Sequence, residues 1–193
     1  RNGNLVDGDV LMAIFALDMK KRGKLKNNGL VVTVMSNLGL FHFAKEHDIT
    51  MPTTKVGDRY VLETIIRDGY CLGGEQSGHI IFFDDMTTGD GQLSAVHLLS
   101  ILARENKPLH ELCRIMTTYP QVLKNVRADD ELKASLWELD DLFKEMDDRL
   151  GDQGRVLVRP SGTEPLVRVM VEGADYDQIE EIAGLIAAAI EAR

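Results

Sequence analysis

Two short stretches of this 193-residue chain concentrate reactive and anion-seeking side chains. The first is Arg159-Pro160-Ser161-Gly162-Thr163-Glu164-Pro165, set between the apolar runs at 156–158 and 166–171. A guanidinium can fork onto two phosphate oxygens. Ser161 and Thr163 add hydroxyl donors, and Gly162 lets backbone N–H groups come close or turn with positive φ. Pro160 and Pro165 stiffen the loop, so less order is lost when an anion arrives. The competing reading is a tight turn whose hydroxyls satisfy local backbone groups. The second stretch, Gly73-Gly74-Glu75-Gln76-Ser77-Gly78-His79, also lies between strand-like pieces. Its glycines clear space, while the Glu75 carboxylate can accept hydrogens from two sugar hydroxyls at once and Ser77 adds a further polar group. Here the alternative is a plain hairpin loop with a solvated Glu75 and a structural His79.

Bulk properties narrow what such loops could serve. A formal net charge of −9 argues against nucleic acid, which needs Lys and Arg clustered on one face. An anionic small substrate stays compatible, because a local basic pocket can outweigh a distant acidic surface. The two cysteines, Cys71 and Cys113, read as buried free thiols and point to a reduced, cytoplasmic setting. The apolar run at 10–17 is too short to span a bilayer and lacks a signal-peptide cleavage pattern, so no membrane partner is expected. The chain begins with Arg1, which suggests that the natural start lies upstream.

The elements that must position these loops alternate strand and helix. Asp9 reads as the cap of a first helix with Val10, Ile14 and Leu17 in phase. Residues 30–34 read as a buried parallel strand, and Ser36 and Asn37 cap a helix running to about His47. Gly57 and Asp58 open another helix ending near Gly69, and Asp90 caps a fourth running to about Arg104. The chain changes character at residues 117–120. Beyond it come a strand at 121–126, one amphipathic helix over 129–150 and the strand pair holding the arginine loop. A last helix opens at Asp175 with Ile179, Ile182, Ile186 and Ile190 in register. The acidic cluster Asp140, Asp141, Asp147 and Asp148 reads as a solvated helix face, not a metal site. The expected fold is therefore an α/β layered domain over 1–118, followed over 119–193 by a smaller α+β domain with an antiparallel sheet and two helices.

Both loops resemble those of the α-D-phosphohexomutase superfamily. Residues 73–79 resemble its sugar-binding loop, and the run from Arg159 to Met170 its phosphate-binding loop. Within it, Lys55-Val56-Gly57-Asp58-Arg59-Tyr60-Val61 and Thr87-Thr88-Gly89-Asp90-Gly91 are most similar to bacterial phosphoglucosamine mutases. The resemblance covers essentially the whole chain but only the third and fourth of the family's four domains. It implies that Glu75 and Ser77 bind sugar hydroxyls, joined in substrate binding by His79. It further implies that Arg159, Ser161, Gly162 and Thr163 hold the phosphate not being transferred, and that Lys55 and His79 line the transfer site. Its ligands would be a hexosamine phosphate and bisphosphate. The family's phosphoserine and Mg2+ site belong to the N-terminal domains, so no nucleophile and no metal ligand is assigned here. Asp7-Gly8-Asp9 lacks the third aspartate and the arginine of the metal loop, and matches the entrance to the third domain. The full-length form could be a homodimer. Two readings follow: the C-terminal half of a mutase, inactive alone, or a non-catalytic sugar-phosphate-binding module. A phosphomannomutase or phosphoglucomutase is the alternative within the superfamily.

Overall fold

The structure, a computed structural model, describes residues 3–162 and 164–193. The described chain divides into two compact units, the first ending at Thr118 and the second running from Tyr119 to Arg193.

In the first unit, α1 (Gly8–Lys21) leads to β1 (Val32–Thr33), α2 (Leu38–Glu46) and β2 (Thr53–Thr54). Next come α3 (Asp58–Asp68), the strands β3 (Leu72–Gly74) and β4 (Ile80–Phe82), and α4 (Gly91–Glu105) with α5 (Leu109–Leu112). β1 and β2 pair in parallel, and the N–H groups of Leu30, Val32 and Val34 donate to the carbonyls of Thr50, Pro52 and Thr54. β3 and β4 form an antiparallel hairpin. A parallel bridge from Val31 to Gly73 joins the two pairs in the order β2, β1, β3, β4.

Alternation along these strands builds two cores. Leu30, Val32, Leu72, Ile80 and Phe82 pack with Met12, Phe15, Leu40 and Phe43, on the side of α1, α2 and α4. Val31 and Ile81 point the opposite way and pack on Val61 and Ile65 of α3. Each such fully buried aliphatic side chain contributes roughly 1.5–3 kcal/mol by leaving water. The sheet is thus covered on both faces, an α/β/α sandwich.

The first helix differs from expectation at its start. Asp7 is the cap, with Oδ1 accepting the Val10 N–H at 3.0 Å. Asp9 is fully buried in the first turn, and its Oδ2 accepts the Asn37 N–H at 2.7 Å. That bond ties α1 to the start of α2, a tertiary role that a capping pattern cannot show.

The second unit contains β5 (Gln121–Arg127), α6 (Asp130–Ala134), α7 (Asp140–Leu150), β6 (Gly154–Pro160), β7 (Leu166–Gly173) and α8 (Tyr176–Glu191). The strands form an antiparallel sheet in the order β5, β7, β6. Val167, Val169 and Val171 of β7 pack on Ile179, Ile182, Ile186 and Ile190 of α8. The single helix expected over 129–150 is broken. The Ser135 hydroxyl donates back to the Leu132 carbonyl, and a 3-10 turn at Leu136–Leu139 separates α6 from α7. Such back-bonding competes with the helical ladder. The expected stripe still turns inward, with Leu132, Leu136, Leu139, Phe143, Met146 and Leu150 all in one cluster. Of the acidic residues here, Asp147 is structural: its Oδ1 accepts the Val156 N–H at 2.7 Å.

Candidate functional site

The β3–β4 hairpin and the candidate sugar loop are the same object. Gly78 N donates to the Glu75 carbonyl at 2.9 Å, and Glu75 N to the His79 carbonyl at 3.0 Å. This closes a tight turn that lifts the exposed Ser77 to its tip. Three other segments hold the turn in place. The Gly57 N–H donates to Glu75 Oε1 at 3.0 Å, which fixes one carboxylate oxygen. The Gly89 N–H donates to His79 Nε2 at 3.3 Å. Gly8 N donates to the Gln76 carbonyl at 2.8 Å. The segments at 7–9, 55–58 and 87–91, far apart in sequence, therefore converge on one loop.

Two glycines are required by space. A methyl on Gly8 would lie 2.2 Å from the Glu75 carbonyl oxygen and 2.7 Å from Gly78 N, both backbone atoms. A methyl on Gly89 would lie 2.5 Å from His79 Nε2. Gly89 thus makes room for the imidazole and donates to it. Asp58 Oδ2 lies 3.4 Å from the same nitrogen. The two neighbours suit opposite states: a neutral ring with its proton on Nδ1 accepts from Gly89, while a protonated Nε2 turns to Asp58. Lys55 follows β2, is exposed, and makes no ion pair among the described residues. Chain connectivity sets it two residues from Gly57, beside the segment that holds Glu75.

Because Gly57 occupies Oε1, glutamine is a better probe of Glu75 than alanine: its amide oxygen can keep that bond while Nε2 replaces an acceptor with a donor. Glu75→Gln is expected to weaken a hexose phosphate by about 10-fold, the scale of one lost hydrogen bond to a charged group. Inorganic phosphate binding should not change. Calorimetry with both ligands checks this, and equal weakening of the two would mean that Glu75 only supports the loop.

In the second unit the register sets the candidate phosphate loop. Arg159 on β6 lies opposite Arg168 on β7, which lies opposite Asn125 on β5. Facing like charges disfavour a sheet pair unless an anion joins them. Arg168 Nη2 donates to Glu164 Oε2 at 2.6 Å, and its Nε is buried with no acceptor among the described residues. Arg159 makes no ion pair among the described residues. Burial, and then the Arg168 charge, hold Arg159 below the ordinary guanidinium range. A dianion placed here would relieve both effects.

Ser161 is buried, and its Oγ accepts the Glu164 N–H at 3.2 Å. Its own hydrogen remains available to an anion. Gly162 does not adopt positive φ, and an added methyl would meet nothing within 4 Å among the described residues outside its chain neighbours. Its contribution is open access to the backbone, not a special turn conformation. Thr163 lies outside the described residues. Arg168 is the residue that reading the sequence left out of the site. Only the β6–β7 register sets it against Arg159.

The two thiols take no part in either loop. Cys71 Sγ accepts the Lys26 N–H at 3.3 Å and donates to the Lys24 carbonyl at 3.4 Å, and burial raises both Cys71 and Cys113 above the ordinary thiol range. Among the described residues no three His, Cys, Asp or Glu converge as a metal site, and no helix is long and apolar enough to cross a membrane.

Residues 7–119 match the model of the phosphoglucomutase/phosphomannomutase alpha/beta/alpha domain III, and residues 120–189 that of the family's C-terminal domain. The chain belongs to this family. It is 56% identical over 192 residues to the phosphoglucosamine mutase of Caldanaerobacter subterraneus subsp. tengcongensis, and 53% identical over 195 residues to that of Acetivibrio thermocellus. These alignments cover 98% and 100% of this chain but 43% of each relative. The chain therefore spans less than half the length of the relatives it matches. In three dimensions it resembles Aspergillus fumigatus N-acetylphosphoglucosamine mutase (TM-score 0.81, 22% identity, covering 98% of this chain and 44% of that one). It also resembles a phosphoglucomutase/phosphomannomutase family protein of Burkholderia thailandensis (TM-score 0.76, 21% identity, covering 99% and 43%). Likeness at that identity speaks for the fold, here an α/β domain III followed by a domain IV with a three-stranded antiparallel sheet.

Proposed function

We propose that this chain supplies the sugar- and phosphate-binding portion of a phosphoglucosamine mutase, which interconverts glucosamine 6-phosphate and glucosamine 1-phosphate. The observation that carries the phosphate half is the facing pair Arg159 and Arg168, partly buried, with Glu164 as the one carboxylate paired to them among the described residues. The identity of at least 53% to two phosphoglucosamine mutases supports the choice of sugar. In this reading Arg159, Arg168, Ser161, Gly162 and Thr163 grip the phosphate that stays. Glu75 and Ser77 bind ring hydroxyls, and Lys55 and His79 face the phosphoryl group that moves. Holding one phosphate while either end of a bisphosphorylated sugar meets a phosphoserine gives the orientation such a transfer requires. The A. fumigatus relative has been crystallised with glucose 1,6-bisphosphate, and separately with GlcNAc-6P and magnesium. The described residues offer no acidic cluster for Mg2+, so none of the steps given to this chain passes through the ion.

Calorimetric titration with glucosamine 6-phosphate, glucose 6-phosphate and mannose 6-phosphate tests the reading. Preference for the amino sugar supports it, and preference for mannose 6-phosphate moves the chain to another branch of the family. We further expect no measurable isomerisation of any hexose phosphate by the purified chain, even with Mg2+ and a bisphosphate. The serines of its two site loops, Ser77 and Ser161, are both assigned to binding, and phosphoryl transfer needs a nucleophile and a cation at the equatorial oxygens. A coupled assay checks this. Turnover by a preparation free of host mutase would overturn the division of roles.

A further inference from the structure

The peptide between Glu164 and Pro165 has no N–H, so its orientation can be fixed only through its carbonyl. Two donors take that carbonyl: Leu166 N at 2.8 Å and the Lys133 ammonium at 2.8 Å. Together they fill both lone pairs. The Lys133 side chain is only 16% exposed, unusual for a lysine, and its nearest carboxylate is Asp130 at 3.8 Å, itself fully exposed. The ammonium is therefore committed to the loop carbonyl. The next carbonyl, that of Pro165, accepts the Ala128 N–H at 3.1 Å. Segment 128–133, which the Asp129 cap fixes through the Leu132 N–H at 2.9 Å, thus holds both carbonyls on the return leg of the loop.

The geometry points to Lys133 as a positioning residue of the phosphate loop, an inference that rests on the phosphate-binding reading of that loop. Lys133 does not touch the anion. It acts on Glu164, whose N–H is donated to Ser161 Oγ and whose carboxylate holds Arg168. Rotating the 164–165 peptide would disturb both groups tied to Glu164: the Ser161 hydroxyl and the guanidinium facing Arg159. Because Glu164 links a backbone grip to an anion-facing arginine, loss of a remote ammonium is felt as misplacement of donors and not as loss of a ligand.

The test uses this chain, with inorganic phosphate and glucosamine 6-phosphate as probes. Lys133→Met is expected to weaken both by about 5–30-fold, the scale of one charge-assisted hydrogen bond acting through its partners. Lys133→Arg, which can still reach a carbonyl, should recover most of the affinity. The loss should persist near 1 M salt, where the screening length is about 3 Å and a purely long-range charge effect fades. Amide resonances report on the loop without ligand: Glu164 and Leu166 should shift in Lys133→Met and return in Lys133→Arg. Unchanged phosphate affinity in Lys133→Met beside a clear loss in Arg159→Ala overturns the positioning role and leaves the phosphate site standing. A loss that vanishes in high salt replaces positioning by simple charge. If the unaltered chain binds neither probe, the phosphate reading fails, and the amide shifts still decide whether Lys133 orders the loop.

Discussion

Arg159→Ala is expected to lower the affinity of this chain for a hexose phosphate by about 100-fold, the scale of two charge-assisted hydrogen bonds in a partly buried setting. Arg159→Lys should retain part of the binding, because an ammonium keeps the charge but cannot reproduce the planar fork. The physical cause is the pairing across β6 and β7. Arg159 faces Arg168 with no carboxylate of its own among the described residues, whereas Arg168 is already turned toward Glu164. Removing Arg159 also removes the repulsion between the two, so the variant should melt no lower than the parent. Calorimetry and a thermal melt together make the check. Undiminished affinity in the alanine variant would sink the phosphate-loop assignment, and a large drop in melting temperature would assign Arg159 to the fold.

Gly8→Ala is the second substitution with a large expected effect, and it acts on the sugar end. The new methyl would sit 2.2 Å from the Glu75 carbonyl oxygen, 2.7 Å from Gly78 N and 2.8 Å from the Gln76 carbonyl oxygen. All three are backbone atoms of one tight turn, so no side chain can swing aside to relieve the overlap. Overpacking of this kind costs about 1–3 kcal/mol. Either α1 backs out of the core that holds Met12 and Phe15, or the hairpin tip shifts and carries Glu75, Ser77 and His79 with it. The expected result is a lower urea midpoint together with weakened hexose phosphate binding. Inorganic phosphate, bound through the other unit, should keep its affinity. A variant that unfolds and binds as the parent does would show that the α1 entry is not what holds the sugar loop.

Patterns local to the chain are legible in the sequence. The β-branched run at 30–34 is a parallel strand because its residues bury on both sheet faces. Asn37, Asp90 and Asp175 each accept the N–H groups that their capping positions predict. The two loops were also legible as turns, because Gly, Pro and Ser at those spacings favour turn conformations. What the sequence could not show is set by contacts between distant segments. Asp9 resembles a cap, and Asp7 takes that role because the chain turns one residue pair earlier to meet Gln76. The run at 129–150 has the period of one helix, yet Ser135 breaks it where the local bond to Leu132 competes with the ladder. Arg168 enters the phosphate site through strand register, since a slip of one residue would turn its side chain to the α8 face. Lys133 reaches the loop from 31 residues away. The segments meeting at the 75–79 turn are likewise joined through backbone N–H donors, those of Gly8, Gly57 and Gly89, and a backbone donor carries no side-chain signature. The sequence determined which residues could do chemistry and which elements would carry them. Only the tertiary structure decided which of those residues face one another, because register and backbone contacts depend on the folded path and not on residue type.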